Sequence, residues 1–376
     1  MVECACYTTS TTERSIITPM CHNDNITRTS CQELHDFYVS AKTGKQKERP
    51  WKAKKMQNEL LALAYDSVNP DKANRLRDCG RNLTFRVYED GTKKLDSMVS
   101  CRVRLCPMCT WRRSLVNFSN NVSIVNLLES EKPRSWLFGT FTMRRCSAAE
   151  LNEQVNTILY AWKKFQMNTD VKKAVKGAYR GLEITHDVEP YITEESFKKR
   201  KKWCQQRGLK VGDENPTYNT FHVHIHAIFC VNSSYFKNKT YLHKQDWADA
   251  WKQALAVDYT PTVDIRRVKP DNKGSYAGAV GEVSKYATKS KDYLIPDDWD
   301  LTVETVRLLD SVLNGRRLVG YSGCMLEAKK RLKLQDEENA DLAHINGEYE
   351  QSDTSFHLES YFWFSGYRQE SGYFRR

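Results

Sequence analysis

Three histidines at alternate positions, His222, His224 and His226, are the residues of this chain best spaced to do chemistry. Successive side chains of a strand point to opposite faces, so the three imidazoles share one face and Val223, Ile225, Ala227 and Phe229 the other. Same-face neighbours stand about 6.8 Å apart, which lets two imidazoles turn onto one metal ion. A solvated strand face can also carry spare histidines, so a partner decides between the readings. Leu182-Glu183-Ile184-Thr185 supplies one. Its apolar residues share a face, and pairing it with the histidine strand, both apolar rows turned toward covering helices, puts Glu183 among the imidazoles. Two nitrogens and one oxygen leave positions for water and a substrate phosphate, as expected of a catalytic Mg²⁺ or Mn²⁺ rather than a closed structural zinc site.

A second metal centre is expected upstream. Of the twelve cysteines, Cys106 and Cys109 flank a Pro107-Met108 turn whose thiolates can face a zinc ion, and Cys79 and Cys101 supply the other two ligands. A redox pair would leave those two unexplained. Cys146, Cys204, Cys230 and Cys324 are isolated and read as ordinary small residues, and the irregular group of Cys4, Cys6, Cys21, His22 and Cys31 is not expected to hold metal.

The elements that must position these groups follow a recognisable order. Residues 135–143 read as a strand; Ser147-Ala148-Ala149-Glu150 reads as a capping box opening a helix that aligns Leu151, Val155, Ile158, Leu159, Trp162 and Phe165. Strands follow at 179–185 and at the histidines, then a helix around Trp247, Trp251 and Leu255, then a strand at 262–268. This β-α-β-β-α-β series predicts an α+β fold with a ferredoxin-like antiparallel sheet flanked by helices. A further helix over 275–293 would carry Glu282, Tyr286, Lys289 and Tyr293 as one stripe. A helical tyrosine can simply be a packing residue. As a nucleophile it is poor at its ordinary pKa of about 10, which a metal on the phosphate and nearby lysines such as Lys285 and Lys289 would offset.

The rest of the chain divides into a flexible arm at 1–45, a basic helix near 51–66 and a small zinc-ribbon-like module within 46–130, a catalytic unit at 131–334, and a tail at 335–376. An insertion at 187–219 holds the run Lys198-Lys199-Arg200-Lys201-Lys202, read as a solvated face ahead of a DNA contact. The formal charge is +11, and cations cluster with aromatics, as at Trp111-Arg112-Arg113, which suits a phosphate backbone with stacked bases. No apolar run of about 18 residues and no signal-peptide pattern is present, so a cytoplasmic protein with no membrane span is expected.

Taken together, Phe138-Gly139-Thr140-Phe141-Thr142, Leu182-Glu183-Ile184-Thr185, His222-Val223-His224-Ile225-His226 and Glu282-Val283-Ser284-Lys285-Tyr286-Ala287-Thr288-Lys289 resemble the HUH endonucleases. More narrowly they resemble the rolling-circle replication initiator (Rep) proteins of small plasmids. The cysteine block ending in Cys106-Pro107-Met108-Cys109-Thr110-Trp111-Arg112-Arg113 is similar to that family's zinc segment, and the likeness covers residues 75–334. It implies that His224 and His226 hold the divalent ion, that Tyr286 attacks a phosphodiester and that Glu282 ends the reaction. His222 also stands where the family has a histidine; it is a further candidate ligand and the one of the three expected to prove a neighbour.

The resemblance implies recognition of a plasmid origin, action on single-stranded DNA, a 5′-phosphotyrosine link, a 3′-OH primer, and a host helicase and polymerase as partners. Lys285, Lys289, Arg102, Arg104, Arg112 and Arg113 are the expected DNA contacts. Alternatives are a transposase or relaxase of the same superfamily, or a zinc-containing DNA-binding regulator without catalysis. Two departures stand out: Val223 replaces a usual proline, and the 187–219 insertion is longer than the family norm, which bears on how Glu183 approaches the metal.

Overall fold

A computed structural model of the chain describes residues 33–34, 37–39, 46–272, 274–284, 289–345, 355–365 and 371–375, with backbone alone at 37–39, 46–48, 279 and 282. A short ladder of β1 (Phe37–Val39) and β2 (Gln46–Glu48) precedes helices α1 (Trp51–Asp66) and α2 (Pro70–Asp78), strands β3 (Asn82–Tyr88) and β4 (Lys93–Met98), and the long helix α3 (Pro107–Glu131). Next come β5 (Arg134–Thr142), α4 (Leu151–Met167), α5 (Thr169–Ala174), β6 (Val175–Asp187), α6 (Glu194–Lys199), α7 (Lys201–Gln206) and β7 (Thr220–Asn232). The chain continues through α8 (Lys244–Leu255), β8 (Val263–Val268), α9 (Ala277–Val283), α10 (Trp299–Leu313), β9 (Val319–Ser322), α11 (Gly323–Arg331), β10 (Phe356–Phe364) and β11 (Gly372–Arg375). The arm expected at 1–45 and the group of Cys4, Cys6, Cys21, His22 and Cys31 lie almost wholly outside the described residues. Among the described residues, no helix is long and apolar enough to cross a membrane.

Alternating apolar residues make β5, β6 and β7 two-faced, and they pair into a sheet ordered β8-β5-β7-β6-β9 with every ladder antiparallel. This is the order expected of the β-α-β-β-α-β series, with β9 added at the free edge of β6. One face buries Phe141, Leu182, Ile184, Val223, Ile225 and Phe229 beneath α4 and α8. There Phe141 meets Trp162, Phe165, Phe229 and Trp251 at ring separations of 5.6, 4.9, 5.9 and 5.3 Å. Each fully buried Phe contributes on the order of 1.5–3 kcal/mol, and Trp251 Nε1 fixes the register by donating to Thr142 O at 3.0 Å.

The opposite face is covered only in part. Trp136, Tyr179, Ile228 and Cys230 pack against Ile124, Val125 and Leu128 of α3, Val280 and Val283 of α9, and Met325 and Ala328 of α11. Along β7 this cover ends at Ile228, and the same face continues as His226, His224 and His222.

A second sheet, ordered β11-β10-β3-β4, brings the tail strands onto residues 82–98. The tail strand β10 pairs with β3 from Phe356↔Tyr88 to Phe362↔Asn82 and buries Tyr361 and Trp363, and β11 buries Tyr373. Contacts also cross the expected boundary near residue 130: Tyr293 Oη donates to Leu105 O at 2.6 Å, and Tyr65 Oη donates to Asp310 Oδ1 at 2.6 Å.

Two local expectations change. Ser147 N and Oγ donate to Glu150 Oε2 at 2.8 and 2.7 Å, but α4 begins after Glu150, which makes no side-chain cap, so the box closes on one side only. The helix expected over 275–293 ends at Val283. Ser284 Oγ donates to Val280 O at 2.7 Å and accepts from Asn121 Nδ2 at 3.2 Å, a serine drawn back onto its own helix and tied to α3. By Lys289 the backbone is extended, and the Asp292 carboxylate caps a short turn by accepting from Lys289 N at 3.0 Å. Lys289 and Tyr293 therefore do not share a helical stripe with Glu282.

Candidate active site and metal centres

Register alone brings the first centre together. Central strand β7 places His224 opposite Glu183 of β6 and Thr142 of β5, and His226 opposite Gly181 and Thr140. The even-numbered histidines and odd-numbered Glu183 thus share one face. Glu183 Oε2 accepts from His224 Nε2 at 3.2 Å and from His226 Nε2 at 2.9 Å. Thr140 Oγ1 bonds His226 Nδ1 at 3.1 Å and fixes that ring, a second partner of the kind that orients ligating imidazoles.

These three side chains could hold a metal ion, their ligand atoms lying within 4.8 Å of one another. Donors around an octahedral ion with bonds of about 2.1 Å stand about 3.0 Å apart, which the 2.9 and 3.2 Å separations match. His224 Nδ1 is buried without a hydrogen-bond partner, which makes this ring dependent on what its other nitrogen binds. Burial pushes the Glu183 carboxyl up, yet His224, His226 and the Lys289 ammonium outweigh it and hold the group ionised, well below the usual carboxylate range. Lys289 Nζ donates to Glu183 Oε1 at 2.8 Å, so this expected DNA contact stands on the candidate ligand itself.

His222 is set apart. Its Nε2 donates to Met143 O at 3.0 Å, and burial, with the charges of His224 and Arg145, lowers its pKa to about 4. It is a neutral neighbour anchored just past the end of β5, outside the Glu183, His224 and His226 group.

Tyr286 and Lys285 lie outside the described residues, as does the side chain of Glu282. The flanking anchors are both at the centre. Gly181, on the histidine face, lies against the end of α9, where a Cβ would meet Val283 O at an ordinary contact distance of 3.4 Å, and on the far side Lys289 reaches Glu183. Sequence reading missed Thr140 and Gly181 as parts of the site, because their roles follow only from the strand register.

The second centre forms where α2, the loop after β4 and the start of α3 meet. Cys79, Cys101, Cys106 and Cys109 are all buried and could hold a metal ion. Sγ separations are 3.4 Å for Cys79–Cys109, 3.6 Å for Cys79–Cys106 and 3.7 Å for Cys101–Cys109. A tetrahedral zinc with Zn–S of about 2.3 Å has sulfur–sulfur edges of about 3.8 Å. Hydrogen bonds from the neighbouring thiols, with Arg113 nearby, hold the Cys109 thiol well below its ordinary value, while Cys79 and Cys106 are pushed up, so the cluster favours a thiolate at Cys109. Among the described cysteines, Cys146, Cys204, Cys230 and Cys324 lie outside any metal-holding group.

The four arginines around this centre, expected as DNA contacts, all make hydrogen bonds within the protein, and Arg102 is also exposed. Arg112 is buried, donating to Leu342 O at 2.6 Å and Ala343 O at 3.0 Å; Arg113 is buried and donates to Arg102 O at 3.1 Å. Arg102 donates to Glu338 O at 2.8 Å and Ala340 O at 3.1 Å, while Arg104 pairs with the Glu338 carboxylate and donates to Arg316 O at 3.1 Å. Folded this way, three of the four guanidinium groups fasten residues 338–343 to α3 and the loop before it. Spacing alone does not reveal these partners, because it cannot tell a phosphate from a carbonyl of a returning tail.

Comparison with known proteins places the chain. The Rep_1 family model, described as a replication protein, matches residues 92–374. A protein rep of Bacillus amyloliquefaciens is 33% identical over 333 residues, covering 82% of this chain and 89% of its own length. Protein rep of Lactiplantibacillus plantarum is 32% identical over 313 residues, with 82% and 89% covered, and that of Streptococcus pneumoniae 31% over 322 residues, with 84% and 89% covered. No solved structure matches the chain. With a family model spanning most of its length and relatives of this identity and coverage, the chain belongs to the Rep_1 family of replication proteins, the initiators of plasmid rolling-circle replication.

Proposed function

We propose that this initiator nicks one strand of its plasmid origin through Tyr286, in a centre of the HUH endonuclease type. The observation that carries the reading is the single carboxylate oxygen of Glu183 shared by His224 and His226, with the α9 segment delivered onto the same face at Gly181. Glu183, His224 and His226 would hold a Mg²⁺ or Mn²⁺ ion. Such an ion draws charge from the phosphoryl oxygens as it builds during displacement. The protein supplies the rest. Thr140 holds the His226 ring, and the Lys289 ammonium offers a positive charge beside the reacting phosphate.

In this reading the Tyr286 phenolic oxygen attacks phosphorus and forms a new P–O bond. The P–O3′ bond breaks, and the phenolic proton is balanced by protonation of the departing 3′ oxygen. The DNA is left joined to the protein through a 5′-phosphotyrosine, and the freed 3′-OH primes synthesis by a host polymerase on a strand opened by a host helicase. Glu282 serves at termination, taking a proton from water or from an incoming strand. The Cys79, Cys101, Cys106 and Cys109 site holds a structural Zn²⁺, because four buried sulfurs leave no open position for substrate.

Metal dependence tests the proposal. Chain stripped with EDTA should leave an end-labelled single-stranded origin oligonucleotide intact, and added Mn²⁺ should restore a product that a polymerase extends from its 3′ end. Undiminished cleavage in EDTA, or a product that cannot be extended, would contradict it.

A further inference from the structure

We infer that the insertion between β6 and β7 builds a binding cleft for single-stranded DNA that leads to the metal centre; the inference rests on the nicking reading for its substrate. A cleft of about 950 Å³ opens between the loop after β5, the insertion and residues 259–262, with His222 in its wall. That is the upper end of the range of about 300–1,000 Å³ for small-ligand pockets. Arg144 and Arg145 line one side. Lys199, Arg200, Lys201, Lys202 and Arg207 line the other, and no Asp or Glu lines the cleft. So one-signed a concavity attracts a polyanion.

The cations divide by role. Asp187, at the end of β6, pairs with Arg200 at 2.9 Å and Arg145 at 3.6 Å, and accepts from Thr217 Oγ1 at 2.7 Å and Asn215 Nδ2 at 3.0 Å. This knot ties the insertion to the sheet and sets the width of the cleft. Arg144, Lys201, Lys202 and Arg207 make no ion pair among the described residues, so their charge is available to a ligand.

Aromatic rings complete the match. Two guanidinium groups stand near the Trp203 ring, Arg200 at 5.0 Å and Arg207 at 4.6 Å from its centroid, and Arg144 stands 3.9 Å over Tyr259. Rings and guanidinium planes in a basic groove stack unpaired bases while the cations follow the backbone; a duplex keeps its base faces covered. The occupant is therefore single-stranded. Met143 and His222 both line the cleft, His222 donates to Met143 O, and His222 stands two residues from His224 on the same face of β7, so the cleft borders the strand face that carries the candidate metal ligands. The lysine and arginine run of the insertion is then more than the solvated face its sequence suggests: Lys199 to Lys202 converge with Arg144 and Arg145 across a concave surface.

The test uses the full chain carrying Tyr286→Phe, so that binding is read without cleavage. Fluorescence anisotropy of a labelled single-stranded origin oligonucleotide is followed across a salt series. Combined Lys201→Gln, Lys202→Gln and Arg207→Gln should flatten the dependence of log affinity on log salt by about 2, at about 0.7 per phosphate contact. Trp203→Ala should weaken binding by about 5- to 150-fold with little change of slope, and Trp203→Phe should restore most of it. All four side chains are exposed or half-buried, and retained zinc content and melting behaviour check the fold. Unchanged slope and affinity in both variants would overturn the cleft, as would an equal loss for duplex DNA. If the wild-type chain fails to nick while these binding effects appear, the nicking reading fails and the cleft stands.

Discussion

Glu183 and the three histidines behave as two kinds of group despite their matched spacing. His224 and His226 turn Nε2 onto one carboxylate oxygen, whereas His222 donates to a backbone carbonyl. Titration calorimetry with Mn²⁺ should therefore show His224→Ala weakening binding by more than about tenfold, with His222→Gln unchanged; equal losses would return His222 to the ligand set. Asp292 makes a second prediction. Burial raises its pKa from the ordinary 3.8 to about 6, against the amide and charge of Lys289. The stability linked to its protonated form is complete below pH 4 and is lost as pH rises through about 6. Asp292→Asn should then raise the melting midpoint by a few degrees at pH 7.5, since the penalty is of order 1–3 kcal/mol, and leave it unchanged near pH 4. A variant that melts lower at both pH values would contradict this. At this scale the sequence was informative about faces: alternation put His224, His226 and Glu183 together. It was silent on ring orientation, because whether His222 meets Met143 O depends on how β5 ends beside it.

At the scale of elements, the order β-α-β-β-α-β was readable because its strands and helices have unmistakable periodicities, and the observed sheet order follows from it. Helix α9 was misread in length. Apolar spacing continues past Val283, but Ser284 bonds back to Val280 O and Asp292 caps a new turn at Lys289, and neither tertiary choice leaves a periodic signal. The cysteine block was legible from spacing, since a two-residue turn at the start of α3 needs only two further sulfurs, from the end of α2 and the loop after β4. Cys106→Ser should lower zinc from about one ion per chain to nearly none and loosen the β3, β4, β10 and β11 sheet packed beside it, as read by metal analysis and thermal melting. Cys146→Ser, outside any metal-holding group, is the matched control. Equal zinc in both variants would rule out the four-cysteine site.

Across the whole molecule, the positive charge read from composition is shared between two tasks. Arginines at the cysteine centre fasten the tail segment, whose Glu338 and backbone carbonyls they hold, and the insertion turns its lysines and arginines into a cleft beside the histidines. Composition alone could not divide them, because a guanidinium bonded to a carbonyl and one facing solvent count the same in a sequence. The tail strands return to β3, so the N-terminal and C-terminal parts of the chain share one sheet against which the zinc-type centre packs. Membership of the Rep_1 family gives the molecule its task in replication, and the centre on the main sheet gives the chemistry proposed for it. The most direct measurement is the covalent adduct itself: single-stranded origin DNA incubated with the chain and Mn²⁺, then denatured and digested for mass spectrometry. We predict a 5′-phosphorylated nucleotide on the peptide containing Tyr286, abolished by Tyr286→Phe. An adduct of undiminished yield in that variant, or none with the wild-type chain, would contradict the account.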